Sequence, residues 1–353
     1  MIRAALALLL CWGVAAGANA ADHGVILIYH RVTEDGPAST RVSPTRFREH
    51  LDWLDSHGFS VLPLSRLLDD LYELGETREN AVAITFDDAY ASVYQAAFPL
   101  LRERDMPFSV FVATDAVDKG YSHFMNWEQL AEMQASGLVE IGPHSLSHAH
   151  LEQRKPGETG SDWRQRVSAE IKESAERLAA KLPEPPIPVF AYPFGEYSAA
   201  TLELVAEAGM RGLAQQSGAF GPAVPARRIP RFAMATGYDA LDRLATAVRS
   251  RPLPVEREQA QPFFLQAGQE HPGSLTLTLQ QGAVAPGAVN CFSSSGGALE
   301  TAAQGSELTV TLPPFTAGRN KVNCTAGTGT AGEFYWYSRI WTVADGEGQW
   351  LNE

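Results

Sequence analysis

Positive charge is what this 353-residue chain has least of: 28 Lys and Arg stand against 41 Asp and Glu, a formal net charge of -13 at pH 7. Such a surface repels a polyanion, which excludes nucleic acid as a partner and leaves a neutral or cationic polymer acceptable. Apolar runs of membrane-spanning length are missing too. The run from Ala4 to Ala16 is too short for a comfortable span. There is no internal repeat and no strongly charged low-complexity tract. Cysteine is scarce, three in all. Cys11 sits between Leu10 and Trp12, a poor context for a lipid-modified cysteine.

What is present at the N-terminus is a leader pattern. Met1-Ile2-Arg3 gives a short basic start, the apolar run follows, and Ala18-Asn19-Ala20 fits a small-x-small cleavage rule. The expectation is a signal peptide over 1–20 and an exported protein, periplasmic or secreted, with no transmembrane segment in the mature chain. Two cysteines then remain, Cys291 and Cys324. An even number in an exported chain points to a disulfide, worth roughly 3–4 kcal/mol for a loop of this length.

Strand and helix signals alternate through the first two thirds. Val25-Ile26-Leu27-Ile28-Tyr29 and Val82-Ala83-Ile84-Thr85-Phe86 read as strands covered on both faces. Between them Ser43 caps a helix, Pro44 suits its first turn, and Phe47, Leu51 and Leu54 form its apolar stripe. A helix is expected over about Ala91 to Arg104, a strand at Phe108 to Val112, and a long polar helix from about Asp162 to Leu182. Val189-Phe190-Ala191 is a further strand. This alternation predicts an α/β fold with a mostly parallel sheet, a (β/α) barrel. Near Arg251 the pattern changes. Pro252, Pro254 and Pro262 mark a linker, and beyond it Ser274 to Leu279 and Leu308 to Leu312 alternate with period two. The expected division is 21–250 for the barrel, 251–263 for the linker and 264–353 for a small all-β, sandwich-like domain that binds carbohydrate or a partner.

The chemistry collects at strand ends. His30 follows the first strand, Asp87 and Asp88 end the second, and Gly142-Pro143-His144-Ser145-Leu146-Ser147-His148 follows Val139-Glu140-Ile141. In parallel barrels, functional side chains gather at the C-terminal strand ends. Two histidines four residues apart face one point if the segment makes a helical turn. With one carboxylate they supply three ligands and leave a position for water, as in a catalytic zinc site; cobalt and nickel also suit these donors. Two neighbouring carboxylates on one strand end do not flank a glycosidic bond at about 5–10 Å, which disfavours a glycoside hydrolase.

Thr85-Phe86-Asp87-Asp88, then His144-Ser145-Leu146-Ser147-His148, then Tyr192-Pro193-Phe194-Gly195 resemble the motifs of the polysaccharide deacetylase family, also called the NodB-homology or carbohydrate esterase 4 family. The resemblance spans about Val25 to Val248. It implies a distorted (β/α) barrel, a divalent metal held by Asp88, His144 and His148, and Asp87 as catalytic base. It also implies that the Tyr192-Pro193-Phe194 loop offers the backbone N–H near Phe194 to an oxyanion. Many members supply the acid from a late Leu-x-His motif, and none is found near Arg231. Ile28-Tyr29-His30 instead opens the domain, which resembles the permuted subgroup and assigns the acid to His30.

Two departures stand out. Many members have an arginine that orients the base where this chain has Ala191. That loss is shared by members acting on poly-β-1,6-N-acetylglucosamine, and it leaves the tuning of Asp87 open. The usual glycine after the acid pair is Ala89, harmless unless the position needs a positive φ. The expected function is removal of N-acetyl groups from an N-acetylated polysaccharide, poly-β-1,6-N-acetylglucosamine in particular, giving free amine and acetate. The residues leave open an O-acetyl esterase on the same metal site and a non-catalytic polysaccharide-binding protein. His150, His123 and Trp127 read as structural residues. Phe334-Tyr335-Trp336-Tyr337 reads as either a core strand or a sugar-binding face.

Overall fold

The computed structural model describes residues 20–345 apart from 260, 261, 267 and 295. The expected leader therefore lies almost wholly outside the described residues. A parallel sheet runs β1 (Val25–Tyr29), β2 (Ser60–Val61), β3 (Ala81–Phe86), β4 (Phe108–Val112) and β5 (Val139–Pro143). Two more strands, β6 (Val189–Ala191) and β7 (Arg211–Leu213), pair with each other, and β8 (Phe232–Ala233) returns to the sheet edge. The order is β8-β1-β3-β4-β5, with β2 beside the start of β3. Among the described residues the ladder does not close. β6 meets β5 through the Ile187 N–H on the Ile141 carbonyl at 2.9 Å, and an isolated bridge joins Leu213 to Ile229 ahead of β8. The expected barrel is thus drawn only in part by its hydrogen bonds.

The strands are apolar throughout because both faces are covered. Leu27, Tyr29, Ile84 and Phe86 pack into one cluster with Phe47, Leu51 and Leu54 of α1 (Pro44–Ser56). Ile26, Ala83, Phe111, Val189 and Leu213 pack into a second on the opposite face. α1 starts as its sequence predicts, with Ser43 Oγ accepting the Arg46 N–H. The helix expected over Ala91 to Arg104 is present from 91 to 103, with a π-turn at Val93–Ala97 ahead of α2 (Phe98–Glu103). Pro99 lacks the N–H that a regular α-helix would need there. α3 (Gly160–Lys181) carries the Thr159–Asp162 capping box at its start.

The C-terminal region is antiparallel. One sheet contains β9 (Ser274–Leu279) and β10 (Glu307–Thr311), the other β11 (Gly318–Gly327) and β12 (Phe334–Val343). Leu275, Leu277, Leu308 and Val310 of the first face Val322, Cys324 and Trp341 of the second in one cluster. A disulfide joins Cys291 and Cys324, as the cysteine count implied. The segment expected to be a linker is ordered as strands: Arg251–Pro252 pairs with β12, and Val255–Glu258 pairs with β9. Among the described residues, no helix is long and apolar enough to cross a membrane.

Candidate active site

Because β1, β3 and β5 run parallel, their C-terminal ends share one edge. His30, Asp87, Asp88 and His144 follow directly from those ends. The Asp87 N–H bonds the Tyr29 carbonyl at 3.0 Å, so His30 and Asp87 stand side by side on neighbouring strands. The segment from His144 to His148 makes no helical turn. It is a bent loop in which Ser145 (φ 67°) and His148 (φ 55°) are left-handed. The loop is held from outside: the Glu170 carboxylate of α3 accepts the Leu146 and Ser147 N–H groups, each at 3.0 Å, and Ser145 Oγ accepts the His148 N–H at 3.0 Å.

Asp88, His144 and His148 converge, with one donor atom from each lying within 4.8 Å of the others. His144 Nδ1 stands 2.8 Å from the Ala191 carbonyl. A carbonyl only accepts, so Nδ1 carries the proton and Nε2 presents a bare lone pair. That Nε2 is 3.3 Å from Asp88 Oδ1, and His148 Nε2 is 3.0 Å from the same oxygen. No N–H is aligned on Oδ1, although it is buried. Lone pairs crowded on one point repel one another unless a cation or a proton sits among them. The two nitrogens and one oxygen therefore fit a divalent ion, with donors suited to zinc, cobalt or nickel. Burial raises the Asp88 carboxyl, and the two imidazoles outweigh it, holding the group well below its ordinary value. Burial disfavours the charged form of His144, yet the neighbouring Asp87 and Asp88 carboxylates raise its pKa overall.

Asp87 is not one of the three converging side chains and is fully buried. Its partner is a residue that sequence reasoning missed. Arg231, immediately before β8 and equally buried, grips both carboxylate oxygens at 2.7 and 2.8 Å. The same guanidinium reaches Thr85 Oγ1 at 3.3 Å. The arginine absent at Ala191 is thus supplied from elsewhere in the chain, and the open question about tuning Asp87 has an answer. Burial pushes the Asp87 carboxyl up, and Arg231, through its charge and hydrogen bonds, together with His144 and His30 outweighs it, so the group titrates below its ordinary value. Burial pushes the His30 imidazole down, against the pull of the Asp88 and Asp87 carboxylates. The neutral form is favoured, and the protonated form is a stronger acid than a free imidazole.

The Tyr192-Pro193-Phe194 loop lies against the histidines. Phe194 is left-handed (φ 57°), and its ring lies 4.5 Å from that of His148 and 3.9 Å from that of His150, centroid to centroid. Among the described residues, no hydrogen bond uses the Phe194 N–H, so it is available as a donor. His150 lies outside the ligand cluster. It braces Phe194 and bonds Glu196 at 2.9 Å, a structural part as expected. His123 is an exposed loop residue, and Trp127 packs on the core with its N–H on Asp118. Ala89 does need a positive φ (59°), so the departure from glycine there is a strained one. In Phe334-Tyr335-Trp336-Tyr337, Tyr335 and Tyr337 pack on the C-terminal core and Trp336 packs on the core of the parallel sheet, which favours the core-strand reading.

A parallel sheet with a His, His, Asp cluster and a separately held Asp at its C-terminal edge is what the polysaccharide deacetylase motifs imply, and part of the chain matches such a domain. Residues 74–213 match the polysaccharide deacetylase family model. The chain is similar to the poly-beta-1,6-N-acetyl-D-glucosamine N-deacetylase of Escherichia coli, 26% identical over 222 residues, which are 52% of this chain and 32% of that protein. The enzyme of the same name from Staphylococcus epidermidis is 25% identical over 229 residues, covering 60% of this chain and 78% of its own. A Bacillus subtilis relative with polysaccharide deacetylase in its name is 28% identical over 195 residues, covering 55% of this chain. The chain thus spans 65% of the Bacillus relative's length and about a third of the Escherichia one. Among solved structures, IcaB of Ammonifex degensii superposes with a TM-score of 0.57 at 25% identity, over 65% of this chain and 97% of that one. A Streptococcus pyogenes deacetylase in complex with acetate gives 0.58 at 23% identity, over 64% and 98%, a likeness of fold.

Proposed function

We propose that this protein is an exported, metal-dependent polysaccharide N-deacetylase acting on poly-β-1,6-N-acetylglucosamine, built on the barrel and the appended β-domain that its motifs imply. The observation that carries the reading is the division of labour between two adjacent carboxylates. Asp88 faces the Nε2 atoms of two imidazoles, while Asp87 stays outside that cluster and is paired with Arg231. Asp88, His144 and His148 would hold a divalent ion, zinc first among the candidates, which supplies Lewis acidity to the acetyl carbonyl and to a water. Asp87, kept ionised by Arg231, accepts the proton of the attacking water on a carboxylate oxygen. Each of its oxygens gives one lone pair to the guanidinium and keeps another. The Phe194 N–H donates to the carbonyl oxygen as negative charge develops there. His30, beside Asp87, delivers a proton to the departing amine nitrogen. The names of the Escherichia and Staphylococcus relatives support the choice of polymer.

The test is acetate release from β-1,6-linked N-acetylglucosamine oligomers, run beside chitin oligomers and an O-acetylated xylan, each with zinc and with chelator. Chelator-sensitive release from the β-1,6 oligomers is expected, and Asp87→Asn should abolish it while bound metal is retained. Release only from the xylan would make the protein an O-acetyl esterase. Binding without release from any substrate would make it a polysaccharide-binding protein.

A further inference from the structure

Arg231 does not hold its position unaided. Its backbone N–H bonds the Gln216 carbonyl at 2.9 Å, and its Nε bonds the Ala214 carbonyl at 3.0 Å. Both acceptors belong to the strap Ala214–Gly218, which follows β7 and has no strand ladder of its own. The shape of such a segment is set by what its groups bond. Its outer side is fastened to the antiparallel region. The Trp336 indole N–H is shared between Ser338 Oγ at 3.0 Å and Ser217 Oγ at 3.2 Å, and Ser217 Oγ lies 3.1 Å from Ser338 Oγ and 3.2 Å from Asn323 Oδ1. Ser338 in turn donates to Asn323 Oδ1 at 2.6 Å. The indole ring meets Phe232, the residue after Arg231, with centroids 5.2 Å apart. The strap also closes on the Tyr-Pro-Phe-Gly loop. A Cβ at Gly195 would stand 2.6 Å from Gln215 Cβ, so only glycine admits this approach.

We propose that the antiparallel region is a positioning element of the active site. Through Ser217 and the strap, Trp336 and Ser338 fix the guanidinium of Arg231 and thereby the carboxylate of Asp87. The proposal rests on the reading of Asp87 as the base. A bidentate grip needs the guanidinium placed to within tenths of an ångström, and two of its anchors are carbonyls on a segment that the β-region shapes. Trp336, Ser338 and Ser217 are positioning residues, not catalytic ones.

The experiment uses the full chain and measures kcat and KM for acetate release from β-1,6-linked N-acetylglucosamine oligomers, with bound metal and melting temperature recorded for each variant. Trp336→Phe keeps a ring on Phe232 and removes the N–H, and Ser217→Ala removes the one of its two acceptor hydroxyls that belongs to the strap. Each should lower kcat about tenfold, with KM and bound metal as in the parent. Ser217→Thr, which keeps the hydroxyl, should restore the parent rate. In an Arg231→Lys background, either change should cost less than about twofold more, because residues acting through one another are not additive. If Trp336→Phe lowers the melting temperature by more than a few degrees, Ser338→Ala, which leaves the ring in place, is read in its stead. Parent-like kcat in these variants beside a slow Arg231→Lys would overturn the proposal and leave Asp87 as base. Fully multiplicative losses in the double variants would overturn it equally. A fully active Asp87→Asn would instead remove the reading beneath it.

Discussion

Replacing Arg231 with Met removes a guanidinium that makes two charge-assisted hydrogen bonds, at 2.7 and 2.8 Å, to a carboxylate with no exposed surface. Breaking one side of a buried ion pair costs about 3–5 kcal/mol, because the remaining charge is left without solvent or partner. In a chain of this size each kcal/mol shifts the melting temperature by roughly 2–4 °C, so the expected fall is roughly 6–20 °C. The sign of the pH dependence should reverse. In the parent, Asp87 titrates below its ordinary value, so its contribution to stability is present above that value and is lost as pH falls through the depressed one. In Arg231→Met burial is opposed only by His144 and His30, the carboxyl rises, and the variant is penalised as pH increases past the new value. A base protonated at neutral pH is no base, so the acid limb of kcat/KM should move upward and the rate at pH 7 should fall about 10- to 100-fold. Calorimetry and a pH–rate profile read the two effects separately. An acid limb and a melting temperature unchanged from the parent would refute the idea that Arg231 keeps Asp87 ionised.

His30→Ala should slow acetate release with bound metal unchanged, and an amine leaving group that is already a good one should recover part of the rate; an unaltered rate would remove His30 from the reaction. Cys291→Ala with Cys324→Ala opens a bridge between residues 33 apart, and chemical denaturation should show a loss of roughly 3–4 kcal/mol. Glu158, bonded by Arg166, is lowered to about 2, so its stabilising effect is full above its ordinary value of 4.5 and fades as pH drops toward 2. The difference in melting temperature between the parent and Glu158→Gln should therefore shrink between pH 6 and pH 2.5.

The strands at Val25–Tyr29 and Ala81–Phe86 were legible because runs of apolar residues that short have few other uses, and the acids and histidines at their ends stood out against them. The cluster of Asp88, His144 and His148 was legible from the order of three motifs. Arg231 was not, for a physical reason. It lies 144 residues from Asp87, precedes a strand of only two residues, and its role appears only once β8 is laid beside β1. Glu170 was hidden in the same way, as one acid among many on a polar helix, until α3 brought it over the Leu146 and Ser147 N–H groups. Ala191 illustrates a different limit. Its side chain says that an arginine has gone, while its carbonyl orients His144, and a carbonyl leaves no trace in a sequence. The two histidines converge without the helical turn that would have brought them together, because spacing fixes only separation along the chain, and in the folded chain Glu170 and Ser145 hold a bend.

Five residues around the site, Asp88, Ala89, Ser145, His148 and Phe194, have left-handed backbones without being glycine. Each such residue costs of order 1 kcal/mol and stays put only because its surroundings insist on it. The aim of the side chains proposed to hold the metal is therefore borrowed from the whole molecule. Cut free as a synthetic peptide, the stretch from Gly142 to His150 would relax into ordinary conformations and hold zinc no better than any short sequence with two or three histidines. Grafting the motif onto another scaffold would transfer its letters and not its affinity. Conversely, anything that loosens the scaffold, even far from the histidines, should appear first as weaker metal retention, well before the protein unfolds.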